Sequence, residues 1–168
     1  MSSAYGGSGS VKIELNRDWN EFLSALISRR VRFVLVDGHA VAAHAEARLT
    51  EDLDVFVDRL PSNAKRLRDA LVDFGFGALA PTVEELSEPN KVFMLGRKPW
   101  RIDIFTSIDG VSFRRAWSSR VAAEFSPGPL YVIGRSALLA NKRASGRTKD
   151  LLDIGLIEAH PISPPTDD

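Results

Sequence analysis

Apolar residues recur at two spacings along this chain, and the changes of spacing mark out its elements. Trp19, Phe22, Leu23, Leu26 and Ile27 follow the i, i+3, i+4, i+7, i+8 rule of a helix with one buried face, and Asn16 stands where its side chain can cap the free N–H groups. A short extended piece over 11–15 precedes that helix. Residues 32–36 predict a buried strand, after which Asp37-Gly38 turns the chain sharply into an alanine-rich helix over 39–47 that can lie close to its neighbours. Residues 53–57 predict the next strand. Pro61-Ser62 opens a second amphipathic helix through Leu67, Leu71 and Phe74, which Gly75 and Gly77 end, and 82–87 reads as a loop or short helix. Strands over 91–95 and 100–106 are joined by Gly96-Arg97-Lys98-Pro99, short enough for an antiparallel hairpin. Two short strands, 121–125 and 130–133, flank the Ser126-Pro127-Gly128-Pro129 turn. Helices over 136–144 and 148–158, broken at Ser145-Gly146, close the chain.

Composition narrows the chemistry. With 168 residues, 44% of them hydrophobic, the chain suits one domain, expected over 11–160 between a flexible tail at 1–10 and an irregular end at 161–168. The polar, glycine-rich start resembles neither a signal peptide nor a membrane anchor, so no membrane partner is expected. Lysine plus arginine equal aspartate plus glutamate at 22 each, so any polyanion must be held by a local patch. The absence of cysteine removes disulfides, thiolate metal sites and cysteine nucleophiles, and fits a cytoplasmic setting. Metal chemistry here must use oxygen ligands, with His39, His44 and His160 the only imidazoles.

Chemistry concentrates where the second strand begins. Side chains alternate along a strand, so Asp52 and Asp54 share one face while Leu53, Val55 and Val57 take the other. Two carboxylates that close repel each other and raise each other's pKa unless a cation lies between them, and a divalent metal is the simplest remedy. A pair of ions about 3.5–4 Å apart needs oxygen ligands from more than one direction. Asp103, set between Ile102 and Ile104, supplies a third carboxylate; its alternative is a surface pair with Arg101. The turn at Asp37-Gly38-His39 leads into a helix whose free N–H groups form a cradle for a triphosphate. Arg48 reads equally as a phosphate contact or as a partner of Glu46 or Glu51. In the basic run Lys142, Arg143, Arg147 and Lys149, the first and last are the choice for triphosphate contact, against internal pairs with Asp150 or Asp153. Imidazoles at 39 and 44 suit packing or capping better than metal ligation. Trp19 suits the core, and Trp100 and Trp117 packing more than base stacking. Arg29, Arg30, Arg32, Arg114, Arg115 and Arg120 offer a track for an RNA acceptor, without aromatic platforms interleaved in the sequence.

A glycine after a strand, a short helix, Arg48-x-Thr50-x-Asp52-x-Asp54 and the later isolated Asp103 together resemble the nucleotidyltransferase superfamily related to DNA polymerase beta. The stretch over 138–154, with Lys142, Gly146-Arg147, Lys149-Asp150 and Asp153-Ile154, is similar to the tail of small bacterial nucleotidyltransferases, relatives of abortive-infection and toxin–antitoxin toxins. The resemblance implies an α+β fold, a mixed, twisted sheet flanked by helices with further helices at the C-terminus. It also implies Mg²⁺- or Mn²⁺-dependent transfer of a nucleoside monophosphate from a nucleoside triphosphate to an acceptor hydroxyl on RNA such as tRNA, on protein or on a small molecule. Asp52, Asp54 and Asp103 would then be the catalytic ligands of two ions. Gly38, His39, Arg48, Thr50, Lys142 and Lys149 are the expected nucleotide contacts, and a cognate antitoxin protein the expected partner. The family usually follows its glycine with glycine or serine, whereas this chain has Gly38-His39. That departure keeps open a weak or inactive nucleotide-binding or partner-binding module on the same fold. A structural domain whose acidic edge meets a basic partner is the third alternative.

Overall fold

The computed structural model describes residues 13, 15–46, 48–126 and 128–161. The tail over 1–10, most of the extended piece over 11–15 and nearly all of the end at 161–168 lie outside the described residues.

Helix α1 (Arg17–Ser28) starts where Asn16 accepts a hydrogen bond from the Trp19 amide, and it buries Trp19, Phe22, Leu23 and Leu26. Strand β1 (Phe33–Leu35) leads through the turn into α2 (Asp37–His44), then β2 (Asp52–Val57) and α3 (Pro61–Phe74). Gly75, at φ 109°, closes α3 in the left-handed conformation that other residues resist. A capping box at Thr82 and Glu85 fixes α4 (Val83–Ser87). The hairpin β3 (Val92–Leu95) and β4 (Arg101–Phe105) is antiparallel, as are β5 (Val121–Ala123) and β6 (Leu130–Val132). Between the two hairpins lies α5 (Phe113–Ser118), and α6 (Arg135–Ser145) and α7 (Thr148–Glu158) complete the chain.

The outer strands are shorter than their sequence pattern suggests, and α2 starts two residues earlier than expected and ends three earlier. Helix α5 was not expected at all: with six residues and only Ala116 buried it carries no periodic stripe, and its one local signal is Ser112, which accepts from the Arg115 amide.

The six strands form one mixed sheet in the order β3-β4-β2-β1-β6-β5, flanked by the helices. Central β2 runs antiparallel to β1 and parallel to β4. Leu53, Val55 and Val57 fill one face of it. On the other face Asp52 and Asp54 give way to Phe56, which is buried edge-on to Phe113 of α5 with ring centroids 5.2 Å apart. One strand face is therefore charged at its start and apolar two residues later. Each fully buried Leu or Phe side chain here contributes about 1.5–3 kcal/mol, which fixes the register and with it the level of the aspartates. Among the described residues no helix is long and apolar enough to cross a membrane.

Candidate functional site

Parallel pairing of β2 with β4 sets Asp54 opposite Asp103 and Asp52 opposite Arg101. Paired residues on neighbouring strands project to the same face, so all three predicted carboxylates stand together. They line a cavity of about 620 Å³. Asp37 joins them from the first turn of α2, although in the sequence it reads only as part of a turn. Its signal was a carboxylate directly ahead of the glycine at a strand-to-helix junction.

Burial pushes the Asp54 carboxyl up to about 8, and repulsion from Asp37, Asp103 and Asp52 adds to this, as does its hydrogen bond with Asp103. Near neutral pH Asp54 therefore keeps its proton. Arg101 supplies the nearest positive charge. Its Nε lies 2.9 Å from Asp103 Oδ1 and 3.4 Å from Asp52 Oδ1, and Nη2 donates to Asp103 Oδ2 at 3.0 Å. Lys98 Nζ is 3.8 Å from Asp52 Oδ2. The pairing of Asp103 with Arg101 is thus present, although Asp103 itself is buried.

Among the described residues no group of three or more His, Asp or Glu side chains is arranged to hold a metal ion. The donor chemistry nevertheless suits one. Asp52 Oδ1 and Asp103 Oδ1 are buried without a hydrogen-bond partner, and an all-oxygen set is what Mg²⁺ and Mn²⁺ select. Arg101 lies against both oxygens, so ligation by Asp52 and Asp103 together requires that guanidinium to move aside.

A second charged layer sits behind Asp37. Lys142 is buried at 1% exposure, with Nζ 2.6 Å from Asp37 Oδ1, 3.0 Å from Asp153 Oδ2 and 3.2 Å from Asp150 Oδ1. Burial alone would lower its pKa, but Asp37 and Asp153 hold the ammonium above the usual lysine value. The internal pairs with Asp150 and Asp153 are both formed, and Lys142 meets the cavity only through Asp37. Burial would likewise raise the Asp37 pKa, yet Lys142, Lys149 and Arg147 together keep it below the usual carboxylate range. Asp37 takes φ 54°, a left-handed backbone that aspartate tolerates better than most residues. Lys149 Nζ, 3.5 Å from Asp37, and Arg147, whose Nε is 2.8 Å from Asp150 Oδ2, are largely exposed and line the same cavity.

The other expected nucleotide contacts lie elsewhere. His39, Arg48 and Thr50 line a separate cavity of about 820 Å³ with Trp19, Leu49 and Trp100. The Arg48 pairing differs from either carboxylate considered for it: Nη1 donates to Asp153 Oδ1 of α7 at 2.6 Å, tying the segment before β2 to the C-terminal helices. Nε2 of His39 is 3.1 Å from Thr50 Oγ1, and the ring stands edge-on to Trp19. Burial, with the Arg48 charge second, lowers His39 to about 4, so it packs as a neutral ring. The His44 Nε2 caps the Ile133 carbonyl at 2.7 Å. Gly38 is required by contact: a Cβ there would come within 2.7 Å of Thr50 Cγ2. Trp19 is core, and its Nε1 donates to the Trp100 carbonyl at 3.2 Å.

Compared with known proteins, the chain matches no protein-family model and no curated protein sequence.

Proposed function

We propose that this protein is a metal-dependent nucleotidyltransferase, which moves a nucleoside monophosphate from a nucleoside triphosphate to an acceptor hydroxyl with release of pyrophosphate. The observation that carries the reading is the register of Asp54 against Asp103 on parallel strands, with Asp52 on the same face and the exposed cations Lys149 and Arg147 at the same cavity. Asp52, Asp54 and Asp103 would hold Mg²⁺ or Mn²⁺, which when bound supplies charge neutralisation for the triphosphate and acidifies the acceptor hydroxyl. Lys149 and Arg147 bind phosphate oxygens, and Asp103 takes up the proton of the acceptor. Lys142 acts one step back, as a positioning residue that fixes Asp37. Positioning and charge carry such a reaction, with little covalent work by the protein. Membership of a toxin–antitoxin pair, with a cognate antitoxin, belongs to the same reading.

A second reading, a nucleotide-binding or partner-binding module without turnover, is favoured by one feature: Arg101 lies across Asp52 and Asp103, and Asp37 engages Lys149. The two separate in one experiment. Purified protein is incubated with Mg²⁺ or Mn²⁺, each labelled nucleoside triphosphate and bulk tRNA, and self-labelling, tRNA labelling and pyrophosphate release are followed. Transfer that disappears in Asp54→Ala supports the enzyme. A nucleotide-dependent rise in melting temperature with no product supports the module, and neither response removes both.

A further inference from the structure

The aromatic platforms missing from the linear sequence are assembled by the fold. Phe113 and Trp117 of α5 stack at 5.8 Å with an interplanar angle of 23°. The Arg32 guanidinium lies over both rings, 4.8 Å from the Trp117 centroid and 5.9 Å from that of Phe113. The Arg120 guanidinium lies 4.0 Å from the Trp117 centroid and 4.6 Å from that of Tyr131, and its Nη1 is pinned to the Trp117 carbonyl at 2.7 Å. Arg114, exposed one turn before Trp117, and its exposed neighbour Arg115 extend this surface, and neither forms an ion pair among the described residues.

We propose that this arginine–aromatic ladder is a binding surface for single-stranded RNA. Three properties select that ligand. The guanidinium groups of Arg32 and Arg120 over the rings set positive charge on an aromatic surface, and the exposed side chains of Arg114 and Arg115 beside it offer their donors to phosphate oxygens. The ladder alternates planar groups with positive charge, which suits an unpaired strand better than a duplex, whose bases are already stacked. With a net charge of zero over the chain, attraction for a polyanion has to be local, and here it is.

The surface also has a direction. Asp54, Phe56 and Asp58 project to one side of β2 and its continuation, and Arg32 pairs with Asp58 at 3.4 Å. Ladder and carboxylate cavity thus share a sheet face, four residues or about 13 Å apart along the strand. A bound strand can reach the cavity with its terminal nucleotides. Only this placement of RNA as the acceptor rests on the nucleotidyltransferase reading; the contact itself does not.

Fluorescence anisotropy of the full chain with a labelled single-stranded RNA of about 12 nucleotides, across a salt series, tests the surface. Arg114→Glu with Arg115→Glu, both exposed, should weaken binding at least about tenfold and flatten the salt dependence. Arg120→Lys keeps the charge but loses the plane, and should weaken binding by about threefold or more with an unchanged salt slope. Duplex RNA and polyglutamate of matched length should bind at least about tenfold more weakly than the single strand. Unchanged affinity in the double variant, no binding by the wild type at low salt, or polyglutamate or inorganic polyphosphate binding as tightly as RNA overturns the proposal. Asp54→Asn should bind RNA as the wild type does. RNA binding without nucleotide transfer by the wild type would sink the enzyme reading and leave this surface standing.

Discussion

Arg101 Nε sits 2.9 Å from Asp103 Oδ1 and 3.4 Å from Asp52 Oδ1, so one side chain of β4 neutralises carboxylates on two strands. Residues 101 and 103 are two apart on β4, and the parallel register puts Asp52 beside Arg101 on the same face. The guanidinium therefore does locally what a divalent ion would do, and cation and arginine compete for the same oxygens.

Arg101→Ala tests that competition. Without added metal the variant should melt below the wild type, because Asp52 and Asp103 lose their nearest positive charge. Adding Mn²⁺ should then raise its melting temperature by more than it raises that of the wild type, since the freed oxygens gain a ligand that the folded state alone presents. A thermal-shift series with Mg²⁺, Mn²⁺ and EDTA reads this directly. Equal rises in the two proteins would show that Arg101 and the ion do not compete, and no rise in either would show that the carboxylates hold no ion.

Gly38→Ala asks whether the glycine serves packing. A Cβ at 2.7 Å from Thr50 Cγ2 forces a shift between α2 and the segment before β2, and overpacking of this kind costs about 1–3 kcal/mol. Thr50→Ser removes the methyl in conflict and keeps the hydroxyl that meets His39. Urea unfolding of the two single variants and the double should give a double variant more stable than the sum of the singles predicts. Additivity would mean that the glycine answers to something other than Thr50.

The elements that carried the candidate site were legible because their signals are local. Alternation through Leu53, Asp54 and Val55, and again through Ile102, Asp103 and Ile104, gave the face of each aspartate, and a short hairpin connection gave the β3–β4 pairing. The parallel pairing of β2 with β4 was not local: α3, α4 and β3 separate the two strands, and no single window of sequence contains that contact. The same limit hid Asp37 and misdirected Arg48, whose partners lie on α6 and α7, more than 100 positions away in the chain. His39, Arg48 and Thr50 sit close in sequence to the aspartates yet border another cavity. Helix α5 escaped notice because its stabilising contacts, Phe113 on Phe56 and Trp117 on Tyr131, are tertiary.

Lys142→Met isolates the buried charge layer. Methionine matches the stem of lysine, so the change removes the ammonium while nearly preserving volume. Asp37, Asp150 and Asp153 then lose a shared partner, and breaking a buried pair from one side costs roughly 3–5 kcal/mol. Chemical denaturation should record a loss in that range. A loss below about 1 kcal/mol, the scale of exposed pairs, would mean that Arg48, Arg147 and Lys149 already satisfy the three carboxylates.

His39 gives stability a pH dependence whose sign follows from burial. Its folded-state pKa, about 4, lies below the ordinary value of 6.5, so between those limits the unfolded chain binds a proton that the folded chain refuses. Stability from the neutral ring is fully present above about pH 6.5, falls as the pH drops toward 4 and levels off below it, for a total of roughly 3 kcal/mol. Asp54 acts oppositely: with a folded pKa raised to about 8, it favours the folded state at low pH and loses that contribution as the pH rises. The two slopes overlap between about pH 4 and 6.5, so the wild-type curve alone cannot assign either. Subtracting the unfolding free energies of His39→Gln from those of the wild type, pH by pH, cancels the Asp54 contribution shared by both proteins. The difference should shrink steadily from pH 7 to pH 4, and a difference that stays flat over that interval would mean the imidazole takes up its proton as readily in the folded protein as in the unfolded chain.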